Sequence, residues 1–262
     1  MRGLFSASLF LLLSFAVAGN ARAETITHGA AVPAKATPGF DGVIDLNISM
    51  EAGSGDLQLF KSGDRAKLDM KLLVNPLPAP IQLGVLLDPK QPDFLFLVND
   101  NLRTYSSIAV AATAPVSDTA FAGKYTLKVL GKEKLLGYEC THLTLTRHRE
   151  LVDAWISQDF PDVYAVLKKL QEANPQFGQA AAFRALEDAG KAGLPMRCIV
   201  VRDGERVTTE VRRIERKALP AALFTVPREY KKSDLTATQG LQPTPEQVEE
   251  MKKIIQGALE GK

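Results

Sequence analysis

The feature that most constrains this chain is a strict two-residue alternation that sets in just after Phe40. Ile44, Leu46, Ile48 and Met50 interleave with Asp45, Asn47 and Ser49. A helix would scatter these apolar residues around its axis, whereas a strand places them all on one face. The same beat returns at Leu68, Met70 and Leu72 between Lys67, Asp69 and Lys71, and again at Leu83, Val85 and Leu87. Alternating segments at such short intervals, with no helical pattern between them, predict an antiparallel meander with one dry and one wet face.

More strands are expected downstream. Residues 94–98 are apolar throughout and read as a strand buried on both faces, and Asn99-Asp100-Asn101 turns the chain into a strand over 103–108. The glycines of residues 53–56 read as a turn. Three prolines within residues 76–80 exclude a paired strand there and predict an apolar loop or frayed edge. Residues 109–123 read as a mobile connection. A hairpin follows through Tyr125, Leu127 and Val129, with its turn at 131–133 and its return from Leu135. Strands over 141–146, 152–156, 196–201 and 207–214 complete the set, the last two joined by the hairpin signal Asp203-Gly204, with a short one at 224–226.

Helical spacing appears only later. Pro161 stands where a first turn tolerates proline, and Val163, Val166, Leu167 and Leu170 share a face. A second helix is expected over 179–189. Thr244-Pro245-Glu246-Gln247 forms a capping box ahead of Val248, Met251, Ile255 and Leu259. The expected fold is therefore α+β: a curved, half-barrel-like antiparallel sheet of about nine or ten strands wrapping two or three helices.

The ends bound the compartment. Arg2 precedes an apolar run from Leu4 to Ala18, and Ala21-Arg22-Ala23 follows, the three-part pattern of a secretory signal peptide cleaved after Ala23. Residues 24–39 read as a flexible leader, 40–230 as a single domain, and 231–262 as a linker with a terminal amphipathic helix. The apolar run is too short to span a bilayer, so no stable membrane insertion is expected and the mature protein is placed in the periplasm. The full chain has 32 basic and 30 acidic residues; losing Arg2 and Arg22 leaves it balanced. Interspersed charges of both signs provide no footprint for nucleic acid.

The segment Gly137-Tyr-Glu-Cys-Thr-His-Leu-Thr-Leu-Thr-Arg-His148 is the densest concentration of reactive side chains. Cys140 and His142 share a strand face, but His148 lies about 20 Å further along at strand spacing, and paired Cys-x-x-Cys elements are absent, which argues against a metal centre. No oxyanion donors or orienting third group accompany a Cys140–His142 pair, which argues against thiol catalysis. Fingerprints for serine hydrolases, zinc peptidases, nucleotides and dinucleotides are also missing. No catalytic residue, metal or cofactor is expected, and the chain reads as non-enzymatic. In an oxidising compartment Cys140 and Cys198 are expected to form a disulfide worth about 4 kcal/mol; two separately buried thiols are the alternative.

One family resemblance emerges from the landmarks in series: Phe-Asp-Gly-Val-Ile-Asp-Leu from Phe40, Gly-Tyr-Glu-Cys from Gly137, Asp-Ala-Trp-Ile-Ser-Gln-Asp from Asp153, Thr-Thr-Glu-Val-Arg-Arg-Ile from Thr208, and Phe-Thr-Val-Pro-Arg-Glu-Tyr from Phe224. Over residues 40–230 the chain resembles a family of exported bacterial proteins of unknown function. That family is similar in architecture to LolA-type lipoprotein carriers and the RseB sensor domain. Glu229 departs from the glycine common before the tyrosine. The resemblance implies a curved sheet around an apolar cavity. By analogy it also implies binding of an acyl chain, a lipid or a lipidated protein. The expected lining is Ile44, Leu46, Ile48, Leu68, Met70, Leu83, Val85 and Trp155. The rival expectation is an envelope interaction or stress-sensing protein with a filled core and no ligand.

Overall fold

The computed structural model describes residues 39–75, 79–109, 124–172 and 180–233. The signal peptide, most of the leader, the connection before Tyr125 and the terminal helix fall outside these residues. The strands run β1 (Gly42–Met50), β2 (Gly53–Ser62), β3 (Arg65–Val74), β4 (Ile81–Leu87), β5 (Phe94–Asn99), β6 (Thr104–Ala109), β7 (Thr126–Leu135), β8 (Tyr138–Arg147) and β9 (Glu150–Ser157). Helices α1 (Pro161–Glu172) and α2 (Ala180–Asp188) follow, then β10 (Leu194–Arg202), β11 (Glu205–Arg216) and β12 (Lys231–Lys232).

All 12 strands form one sheet in the order β12-β6-β5-β4-β3-β2-β1-β11-β10-β9-β8-β7. Two meanders, β1–β6 and β7–β11, are sewn together by the antiparallel pairing of β1 with β11. The α+β class and the open, curved antiparallel sheet match the expectation, with more strands than the nine or ten anticipated. A sheet this wide must coil, because each strand pair adds twist of one hand. Only the two-residue β12 is parallel to its neighbour, β6.

Several local readings change. The glycines of 53–56 open β2 instead of forming a turn, and the chain reverses at Glu51-Ala52. The β7–β8 turn lies at Leu136 (φ 51°) and Gly137 (φ 86°), not at 131–133, which belong to β7. Successive positive φ values suit the right-handed twist of a tight hairpin, and Asp203 (φ 50°) and Gly204 (φ 88°) do the same as anticipated. Residues 221–224 form a 3₁₀ turn where a strand was expected.

Both helices pack on one side of the sheet. On α1, Val166 and Leu170 meet the cluster of Ile48, Met70, Leu72, Leu83 and Leu97, while Val163 is fully buried beside Phe40 and Phe160. On α2, Ala182 and Leu186 meet Leu143, Leu145, Ala154 and Val200. Tyr164 stacks on Phe183 at 5.3 Å, and Lys168 bonds Glu187 at 2.7 Å, joining the helices.

An apolar sheet face as candidate functional site

Cross-strand register assembles the apolar face row by row. Leu46 lies opposite Leu57, Leu57 opposite Met70, and Met70 opposite Leu83. A parallel row joins Ile44, Leu59, Leu68, Val85 and Leu97. Ile48 lies opposite Gly55, whose own partner is Leu72. A Cβ at Gly55 would stand 2.5 Å from Leu72 Cδ2, so glycine there lets Ile48 and Leu72 close over the strand between them. Seven of the eight expected lining residues are thus brought together. Ile44, Ile48, Met70, Leu83 and Val85 are buried, and Leu46 and Leu68 are half-buried. Leu57, Leu59, Leu72, Leu95 and Leu97 share the face but stand outside the expected lining. The alternation of Leu57 and Leu59 with Asp56, Gln58 and Phe60 was the signal that could have found two of them.

Trp155 stands outside these rows, although it is buried in the same cluster as Ile44, Leu59 and Val163. Ile48 pairs with Thr209, Thr209 with Cys198, and Cys198 with Ala154. The row of Ile48 therefore continues to Ala154, and Trp155, next in sequence and beside the register shift between Pro195 and Arg197, leaves that row. Its indole stacks on His142 (centroids 4.1 Å apart, planes within 7°) and donates from Nε1 to Glu133 Oε2 at 2.7 Å. Arg197 lies 5.3 Å above the indole and bonds Glu210 Oε1 at 2.6 Å. His142 Nε2 is 2.7 Å from Asp153 Oδ1.

The expected disulfide is corrected: Cys140 and Cys198 are free thiols. Cys140 lies on β8 and Cys198 on β10, with β9 between them, which separates their backbones by more than about 10 Å, beyond the reach of a disulfide. Leu143, which shares the face of Cys198 through Ala154, is three residues from Cys140, so the two sulfurs also point to opposite faces. Burial pushes the Cys140 thiol up and, with the nearby charges of Asp153 and Glu150, pushes Cys198 up to about 12. Such thiols are poor nucleophiles at neutral pH.

Charge enters the helix side at two places. Lys61 Nζ pairs with Asp162 Oδ2 at 2.7 Å, and the same oxygen accepts the Phe40 N–H at 2.7 Å. Burial alone would raise the Asp162 carboxyl, but bonds from Lys61, Phe40 and Val163 together hold it below the ordinary carboxylate range. At the far end Glu150, 5% exposed, pairs with Arg147 at 3.1 Å and with Arg202, and accepts the Tyr125 hydroxyl at 2.6 Å. Burial and then Glu150 raise the Tyr125 phenol.

On the reverse of β1–β4 lies a polar groove of about 490 Å³. Its walls are the rows Asp45–Gln58–Asp69 and Asp56–Lys71–Gln82. Asp45 is bonded by Gln58 (2.9 Å) and Arg213 (2.7 Å), which outweigh the effect of burial and lower its carboxyl. Burial raises Asp69, against the pull of Lys67, and its Oδ1 is buried without a hydrogen-bond partner.

No helix among the described residues is long and apolar enough to cross a membrane. No match is found among curated proteins. Among solved structures the chain is similar to MucB in complex with MucA, at 10% identity and a TM-score of 0.38, covering 75% of this chain and 56% of MucB. It is also similar to the lipoprotein LppX of Mycobacterium tuberculosis (12% identity, TM-score 0.35, 68% of this chain and 88% of LppX). LprF from Mycobacterium bovis is similar at 10% identity and a TM-score of 0.32, over 74% of this chain and 91% of LprF. Residues 40–230 match the domain of unknown function DUF4412, and the chain belongs to that family.

Proposed function

We propose that this protein is a non-enzymatic binding or carrier protein of the bacterial envelope, exported with cleavage after Ala23, whose apolar sheet face holds an acyl chain, a lipid or a lipidated protein. One observation carries the reading: the helix-side face is mostly apolar, with its charges confined to the Lys61 and Glu150 corners, and wider than the helices packed on it. Eleven strand spacings span roughly 50 Å. A helix of 12 residues is about 18 Å long and about 10 Å across. An acyl chain on such a face needs no reactive group, since each buried methylene contributes about 0.8 kcal/mol. Seven residues form the contact: Ile44, Leu46, Ile48, Leu68, Met70, Leu83 and Val85. Leu46 and Leu68, half-buried, are the two best placed to touch a ligand. Trp155, engaged by His142 and Glu133 outside these rows, is left out.

The second reading, an envelope interaction or stress-sensing protein with a filled core, draws support from the depth of burial at Ile44 (0%) and Leu83 (1%). Native mass spectrometry and lipid extraction of protein purified from the envelope separate the two. A co-purifying lipid, lost in a folded Leu68→Glu variant, is the expected outcome. Absence of lipid, together with failure of the delipidated protein to take up a fluorescent fatty acid, would sink the carrier reading. N-terminal sequencing of the same preparation checks for a chain beginning at Glu24.

A further inference from the structure

The two edges of the sheet are finished differently. One is closed by β12, only two residues long, both of them lysines. The other, among the described residues, is β7, ten residues long and exposed along most of its length. A long unpaired strand offers a row of main-chain donors and acceptors to any extended segment. Apolar side chains stand there too: Val129 is 48% exposed, Leu130 47% and, in the adjoining turn, Leu136 52%. The register shift between Val129 and Gly131 leaves Leu130 outside the β7–β8 ladder.

We propose that β7 is a docking strand, to which an extended acidic segment of a partner protein adds by main-chain pairing with the sheet. Charge selects the occupant. The strand carries Lys128, Lys132 and Lys134, with Lys124 just before it, against a single acid, Glu133, which is held by Trp155 Nε1. Lys128 and Lys134 form no ion pair among the described residues, and Lys132 meets only Glu139 on the exposed surface, at 2.6 Å. A second copy is a poor occupant. Two β7 strands side by side would bring three lysines and one acid from each into a single seam, and like charges gathered there repel. Lysines on an edge deter indiscriminate pairing; Lys132 and Lys134, on one face across from Thr141 and Glu139, admit a segment that alternates acidic with apolar residues. This surface is independent of the apolar face.

The probe is a labelled peptide of about ten residues, the length of β7, alternating Glu with Val, compared with the same peptide carrying Lys for Glu. Fluorescence anisotropy on the full chain is expected to show binding of the acidic peptide alone, weakening as salt is raised. Hydrogen exchange should slow at residues 126–135. The triple variant Lys128→Glu/Lys132→Glu/Lys134→Glu should keep the wild-type melting temperature and lose affinity by about tenfold or more. The proposal fails if neither peptide binds, if both bind alike, if protection appears elsewhere, or if β7 becomes protected by concentration-dependent self-association.

Discussion

The two meanders secure their helix side with ion pairs of unequal depth. In the β7–β11 half Glu150 is almost wholly enclosed, with Arg147 and Arg202 on either side and the Tyr125 hydroxyl above, and four elements near the strand ends are tied through one carboxylate. In the β1–β6 half the pair is Lys61 with Asp162, whose side chain keeps 29% exposure, and it ties α1 and Phe40 to β2 at one corner only. Beyond that corner the first half is held by aliphatic rows. The difference teaches where the fold is pinned and where it can yield: charges with fixed partners close the second half, while the first leaves a mostly hydrocarbon face on which Asn99 and Ser106, near its β5–β6 edge, are uncharged.

Glu150→Ala is expected to have the largest effect. It leaves two guanidinium groups without the carboxylate between them, and breaking a buried pair of this kind costs about 3–5 kcal/mol, read as a fall in the urea midpoint. Asp162→Asn should cost less, about 1–2 kcal/mol at pH 7, the low end for hydrogen bonds to a charged group because Asp162 keeps partial exposure. Its pH dependence identifies the cause. The Asp162 carboxyl is held low in the folded state, so its contribution is present above the unfolded value near 4 and is lost as pH falls through the folded value. The gap between wild type and variant should therefore close in melts taken below about pH 4. The smallest effect expected is that of a reductant. With both thiols free, the melting temperature should stay where it is without reductant, whereas a bridge would have supplied about 4 kcal/mol. Thiol titration should find both sulfurs only after denaturation.

The strand-by-strand reading succeeded where alternation was local and unbroken. Ile44, Leu46 and Ile48 share a face because they are two apart in one strand, and the same holds for Leu68 and Met70. It failed at Gly53-Ser54-Gly55-Asp56, since glycine marks both a turn and a close approach of strands, and only Leu72 across the ladder reveals which. It failed again at residues 131–133, because a bulge at Leu130 lets β7 run on to a turn at Leu136 and Gly137.

Alternation determined, from the sequence by itself, that this chain makes an antiparallel sheet with one apolar side, because side-chain direction along a strand is a two-residue property of the backbone. Which side each later strand contributes was decided only by tertiary pairing. A strand such as Ala154-Trp155-Ile156 has two faces, and nothing within it says which continues the face of Ile48. That was settled across β11 and β10, through partners more than a hundred residues away from β1 in the chain. The same non-local register set Cys140 and Cys198 apart, since a cysteine's partner depends on which strands become neighbours and which face each sulfur takes.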